Sequence, residues 1–362
     1  MKPPAASGPL LGLRAANLAF AAAALLLVSA GCRTAPKPGA AAPHRGDEIV
    51  AAGQFFHTGT RVVLWMEPGG YDAYRVERRF GSYTNASWEA SQRANPNLTT
   101  PNRYGLRGEK LLTATDLERV RGGGWDLPLL QDIVDQFVLH YDGSGTSRQC
   151  FTVLQDQRNL SVHFLLDLDG TVYQTLDLKE RAWHATTSNT RSVGIEIANV
   201  GAYPPNRDAL LHQWYRSNDC AGVRIVLPER LGNAGLRTPG FVARPTRPEP
   251  VRGVVQGQEL VQYDFTPEQY RALVQLTATL CKVFPKIKCD YPRNTAGALV
   301  THKLADDQLD GYGGVLGHFH IQTNKVDPGP AFQWARVIDG TRQLLHLPPA
   351  PGHFFPVETA SP

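Results

Sequence analysis

At 362 residues, 42% hydrophobic and 19% charged, the chain has the apolar content for one or two ordinary cores, which excludes a largely disordered protein. Its 37 Lys and Arg against 33 Asp and Glu give a formal charge of +4, or about +2 once Lys2 and Arg14 leave with the leader described next. A charge so weak and so evenly mixed excludes a nucleic-acid partner held by a basic stripe.

Leu18 to Val28 is an eleven-residue apolar run preceded by Lys2 and Arg14 and followed by Ser29-Ala30-Gly31-Cys32. A spanning helix needs roughly 20 residues, so the run reads as an export signal over residues 1–31. Small residues abutting a cysteine resemble a bacterial lipoprotein signal, in which Cys32 becomes the lipidated first residue of a periplasmic protein anchored to a membrane. Arg33 rather than Asp after Cys32 favours the outer membrane. Residues 32–49, Ala/Pro-rich and without periodicity, read as a tether. Four further cysteines, Cys150, Cys220, Cys281 and Cys289, permit disulfides in three connectivities, with Cys281 and Cys289 close enough in sequence to pair locally.

Residues 50–130 read as an N-terminal extension without assignable function, containing an alternating run at 61–65 and a short helix over 114–120. Gln136 to Tyr141 reads as a buried strand ending at His140. Ser161–Leu166 and Thr171–Leu176 form a hairpin through Asp169-Gly170. Ser192 to Ala198 alternates Val193, Ile195 and Ile197 with Gly194, Glu196 and Ala198, which directs Glu196 away from the core. A Pro-, Arg- and Gly-rich insertion, 201–262, reads as long and irregular. Thr266-Pro267-Glu268-Gln269 is a capping box opening a helix with Tyr270, Leu273, Val274, Thr277, Cys281 and Phe284 on one face. Strands alternating with a long helix predict an α/β architecture.

The ordered series FVLHYDG, SVHFLLDLDGTVYQ, Trp183-His184-Ala185, SVGIEIAN, FTPEQY and GHFHIQTNKVDPGPAFQW resembles the zinc-dependent type 2 N-acetylmuramoyl-L-alanine amidases, whose superfamily includes phage T7 lysozyme and the peptidoglycan recognition proteins. The resemblance implies a mixed central β-sheet flanked by helices over residues 131–345, followed by a tail over 346–362. It further implies one Zn²⁺ held by His140, His318 and Asp327, with Glu196 as the acid/base and Lys325 stabilising an oxyanion. His184 would line the substrate groove with Trp183 packed beneath it. Where the family often carries an acid shortly after the second ligand, this chain has His320; His320, His302 and His163 are not counted as ligands.

The implied activity is hydrolysis of the amide between N-acetylmuramic acid and L-alanine in peptidoglycan or its fragments. A non-catalytic peptidoglycan-binding lipoprotein is the alternative, and a lipoprotein tethering membrane to wall is a third reading. The insertion emerges next to Glu196, which predicts a wall or lid offering Trp214, Tyr215, Arg207 and Arg216 to sugars and acidic peptides. The oligomeric state stays open.

Overall fold

A computed structural model describes residues 43–218 and 222–350, with Met1, Lys2 and Gly39. The chain divides into two compact units, Met1–His44 and Arg45–Pro362. Cys32, Cys220 and most of the tether and tail lie outside the described residues. None of the helices within the described residues is long and apolar enough to cross a membrane.

The fold is mixed α/β, as expected. Its central sheet has six strands: β1 (Val62–Leu64), β2 (Gln136–Tyr141), β3 (Phe164–Leu166), β4 (Val172–Gln174), β5 (Ser192–Ile197) and β6 (Gly314–Gly317). They lie in the order β6-β2-β5-β3-β4-β1, and every pair is parallel except β3–β4. That antiparallel pair is the hairpin read from Asp169-Gly170, where Gly170 has φ +80° and a Cβ would sit 2.9 Å from the Glu268 carbonyl.

The period of two divides the central strands between two apolar layers. Phe137, Leu139, Val193, Ile195 and Ile197 share one core with the long helix Pro267–Val283 and the helix Trp334–Leu344. On the other side, Leu165, Tyr173 and Val63 pack with Cys150, Phe151 and Leu154 of a helix that runs from Ser147 to Thr152 and continues as a π-helix to Arg158. The capping box forms as read, and Thr266 Oγ1 also donates to the Leu168 carbonyl at 2.7 Å, tying the helix start to the hairpin turn. The helix is buried more widely than its predicted face: Leu276 and Leu280 are inside, while Val274 and Cys281 are only partly so.

Residues 50–130 are built into the same body. Val62–Leu64 forms the sheet edge beside β4, and Glu48–Ala51, at the end of the expected tether, already pairs with Gln54–His57. The insertion is more regular than its composition suggests. It carries the helix Ala209–Trp214, a hairpin of Tyr215–Asn218 with Gly222–Ile225, and another of Val251–Val255 with Gln258–Gln262. The second hairpin turns through Gln256 and Gly257, both at positive φ (53° and 71°), a two-residue geometry usually signalled by Asn-Gly or Asp-Gly. Cys150, Cys281 and Cys289 carry free thiols, so the local disulfide is absent; Cys289 Sγ instead donates to the Ile338 carbonyl at 3.7 Å.

Candidate metal centre

The register of the sheet assembles the site. Parallel pairing sets His140 of β2 directly beside Glu196 of β5, and Gly317, the end of β6, beside Leu139, so that His318 emerges next to His140. The groups therefore collect at the carboxyl ends of parallel strands, where open α/β sheets leave a crevice. That crevice is a cleft of about 320 Å³ lined by His140, Glu196, His318, Lys325 and Asp327, with Trp183, His184 and Arg158 on its walls.

His140 Nδ1 lies 2.8 Å and His318 Nδ1 3.1 Å from the same oxygen, Asp327 Oδ2. The remaining nitrogens have partners of their own. His140 Nε2 meets His184 Nδ1 at 3.0 Å, and His318 Nε2 meets Gln322 Oε1 at 2.6 Å. Gln322 Oε1 can only accept, so His318 carries its proton on Nε2 and presents the Nδ1 lone pair to the centre. The same tautomer of His140 makes its Nε2–H the donor to His184 Nδ1, and His184 Nε2–H then donates to Ser192 Oγ at 3.2 Å. Two imidazole lone pairs and a carboxylate oxygen, all within 4.8 Å of one another and buried, are a donor set that fits a divalent cation such as Zn²⁺ with a position left open.

Burial, reinforced by His318, lowers the His140 pKa to about 4, which keeps its lone pair available. Burial opposes ionisation of Asp327, but the electrostatic attraction of His318 and the close approach of both imidazoles outweigh it and hold its pKa below the usual carboxylate range. Glu196 moves the other way: burial, then repulsion from Asp327 and Asp142, raises its pKa well above the ordinary value. Its Oε2 is buried without a hydrogen-bond partner among the described residues. A carboxylate so placed is suited to taking up and returning a proton.

His184 stands on the wall of the cleft. Both its ring nitrogens are engaged, by His140 and Ser192, which ties the ring to a candidate ligand and to β5. Ser192, Gly194 and Glu196 share one face of β5, and Gly194 makes room for the ring: a Cβ there would lie 2.4–2.7 Å from three His184 atoms. Trp183 borders the cleft, near Gly105.

The other histidines separate cleanly. His320 accepts from the Gly317 N–H and donates to the Val300 carbonyl, and His302 lies outside the cleft. His163 accepts from the Gly194 N–H and donates to the Glu180 carbonyl. The insertion does not form the expected lid: no described residue of it lines the cleft, and Trp214 and Tyr215 are buried, Tyr215 stacking on Tyr263 at 4.0 Å.

Some residues that build the site escaped the sequence reading. Arg107, fully buried, donates to the carbonyls of Leu178, Glu180, Thr190 and Ser192, clamping the loop that carries Trp183 and His184 to the start of β5. Arg103 likewise reaches the Gln155 carbonyl in the π-helical wall. Backbone carbonyls distant in sequence leave no motif. Ser192, two positions before Gly194 and four before Glu196, was discoverable from strand periodicity, and Gln322 from its i+4 spacing to His318.

The sequence profile of the family described as N-acetylmuramoyl-L-alanine amidase matches residues 130–228, a segment holding His140, Trp183, His184 and Glu196 but ending before His318. No curated relative matches the chain. Among solved structures, the chain is similar to the N-acetylmuramyl-L-alanine amidase AmiD from E. coli, in complex with anhydro-N-acetylmuramic acid-L-Ala-D-γ-Glu-L-Lys, at 18% identity and a TM-score of 0.32, over 57% of each chain. It thus spans less than two thirds of AmiD. AmpD matches at 16% identity over 58% of this chain and 86% of its own, with a TM-score of 0.28. The endolysin LysCS from Clostridium intestinale matches at 14% over 60% and 88%, with a TM-score of 0.30.

Proposed function

We propose that the protein is a zinc-dependent N-acetylmuramoyl-L-alanine amidase of the T7-lysozyme-like fold that separates stem peptide from glycan in peptidoglycan or its fragments. The observation carrying this reading is the convergence of His140 Nδ1, His318 Nδ1 and Asp327 Oδ2 in one cleft with Glu196 and Lys325. A zinc ion held by those three side chains supplies Lewis acidity toward the amide carbonyl and toward water. Glu196 takes the proton from the attacking water and returns it to the departing alanine nitrogen. Lys325 opposes the negative charge that develops on the carbonyl oxygen. Lipidation at Cys32 would carry the enzyme to the periplasmic face of a membrane, with the outer membrane favoured by Arg33.

The test uses the zinc-loaded protein and a disaccharide-peptide substrate, with products identified by mass. Free peptide and free disaccharide are expected from the wild type. Glu196→Gln should retain zinc and bind substrate while turnover falls on the order of 10²-fold or more. Wild-type protein that binds the muropeptide and releases nothing would instead identify the non-catalytic binding lipoprotein.

A further inference from the structure

The helical wall Ser147–Arg158 has two working sides. Cys150, Val153, Leu154 and Arg158 border the cleft, whereas Arg148, Gln149 and Thr152 line a separate groove of about 320 Å³. The far bank of that groove is Arg230 and Gly232 from the insertion, and Phe80 comes from the N-terminal region. Segments flanking or interrupting the amidase-like core thus meet the wall of the catalytic cleft and form a second concavity. Its lining contains two arginines and no acidic side chain. Arg148 lies with its guanidinium 4.5 Å from the Phe80 ring centroid, a stacking that orders the planar fork. Both arginines are exposed, and among the described residues neither has a carboxylate partner. A neighbouring groove of about 530 Å³ shares Phe80 and Thr152 and adds Arg78 with one acid, Asp156.

We propose that this groove binds a carboxylate-bearing stem peptide of the wall next to the one being cut, so that the enzyme is held on polymeric peptidoglycan by a site outside its cleft. The proposal rests on the amidase reading for the identity of the polymer. Two unneutralised guanidinium forks recognise planar anions bidentately, and carboxylates recur on every stem peptide. The helix between groove and cleft is roughly 10–12 Å across, so both sites can engage one polymer at once. Phosphate on an attached wall polymer would offer the same forks a similar anion, and the experiment separates the two.

The experiment compares wild-type protein with the double variant Arg148→Glu/Arg230→Glu, both zinc-loaded. It measures co-sedimentation with insoluble peptidoglycan and hydrolysis of a soluble disaccharide-peptide. The double variant should lose on the order of tenfold in sedimentation, a charge-reversal effect of about one decade, and hydrolyse the soluble substrate at the wild-type rate. Wall whose carboxylates have been converted to amides should release the wild type to the same extent, while wall stripped only of phosphate polymers should retain it. Unchanged sedimentation of the double variant, equal loss on both substrates, or binding that follows phosphate overturns the proposal. A wild type that fails to cleave the soluble substrate yet needs both arginines to sediment refutes the amidase reading and leaves the groove standing.

Discussion

Replacing His184 with Ala removes the acceptor for the buried His140 Nε2–H and the donor to Ser192 without touching the candidate ligand atoms of His140, His318 or Asp327. A buried donor left without its partner costs roughly 1–3 kcal/mol. Loss of a group that orients a ligand histidine typically weakens metal binding by about 10–100-fold, or about 1.4–2.8 kcal/mol. The two ranges overlap because they describe one event: without His184, His140 no longer has a single tautomer with Nδ1 directed at Asp327. Gly194→Ala should produce the same defect by another route, since its Cβ would meet three His184 ring atoms at 2.4–2.7 Å and force the ring aside. Ser192→Ala, which removes only the outer end of the chain, should have a smaller effect. Zinc affinity measured by competition with a chromophoric chelator, with circular dichroism to verify folding, gives the answer. If His184→Ala and Gly194→Ala fold and bind zinc as tightly as wild type, the orienting role of His184 is wrong.

Arg107→Met should lower stability by several kcal/mol, because four carbonyls lose a shared charged donor and a buried polar group left without its partner costs roughly 1–3 kcal/mol. The corresponding fall in Tm, on the order of 10 °C, is read by thermal melting; a shift within error would mean that the clamp is dispensable. Burial, aided by Arg107, lowers the His163 pKa from 6.5 to about 3. The unfolded chain therefore takes up a proton that the folded chain refuses, so this stabilisation is complete above about 6.5 and is lost as pH falls toward 3. Melting temperatures of wild type should drop more steeply across that window than those of His163→Gln, and parallel curves would refute the assignment.

The central strands were legible because their apolar residues alternate or run unbroken, and because Asp169-Gly170 and the Thr266 capping box mark a turn and a helix start in local residue chemistry. The cluster of His140, His318 and Asp327 was legible only through ordered motifs, since these residues lie up to 187 positions apart and meet through strand register. What stayed hidden depends on long-range pairing. Val62–Leu64 joins the sheet by pairing with residues more than a hundred positions later, and the insertion's hairpins are interrupted by Arg and Gly. Trp214 and Tyr215 carry no local sign of whether they face solvent or a second small core. His184 was legible as a cleft residue, but its contact with His140 was not, because the ring fits only where Gly194 leaves space beneath it.

Hydrolysis in ¹⁸O-enriched water tests the central account most directly, because it reports which bond water attacks. Zinc-loaded protein acting on a disaccharide-peptide should place one ¹⁸O in the lactyl carboxylate of the muramic acid and none in the peptide, whose alanine gains a free amino group. Label at the sugar's reducing carbon or in a peptide carboxyl group would contradict it, as would the absence of cleavage.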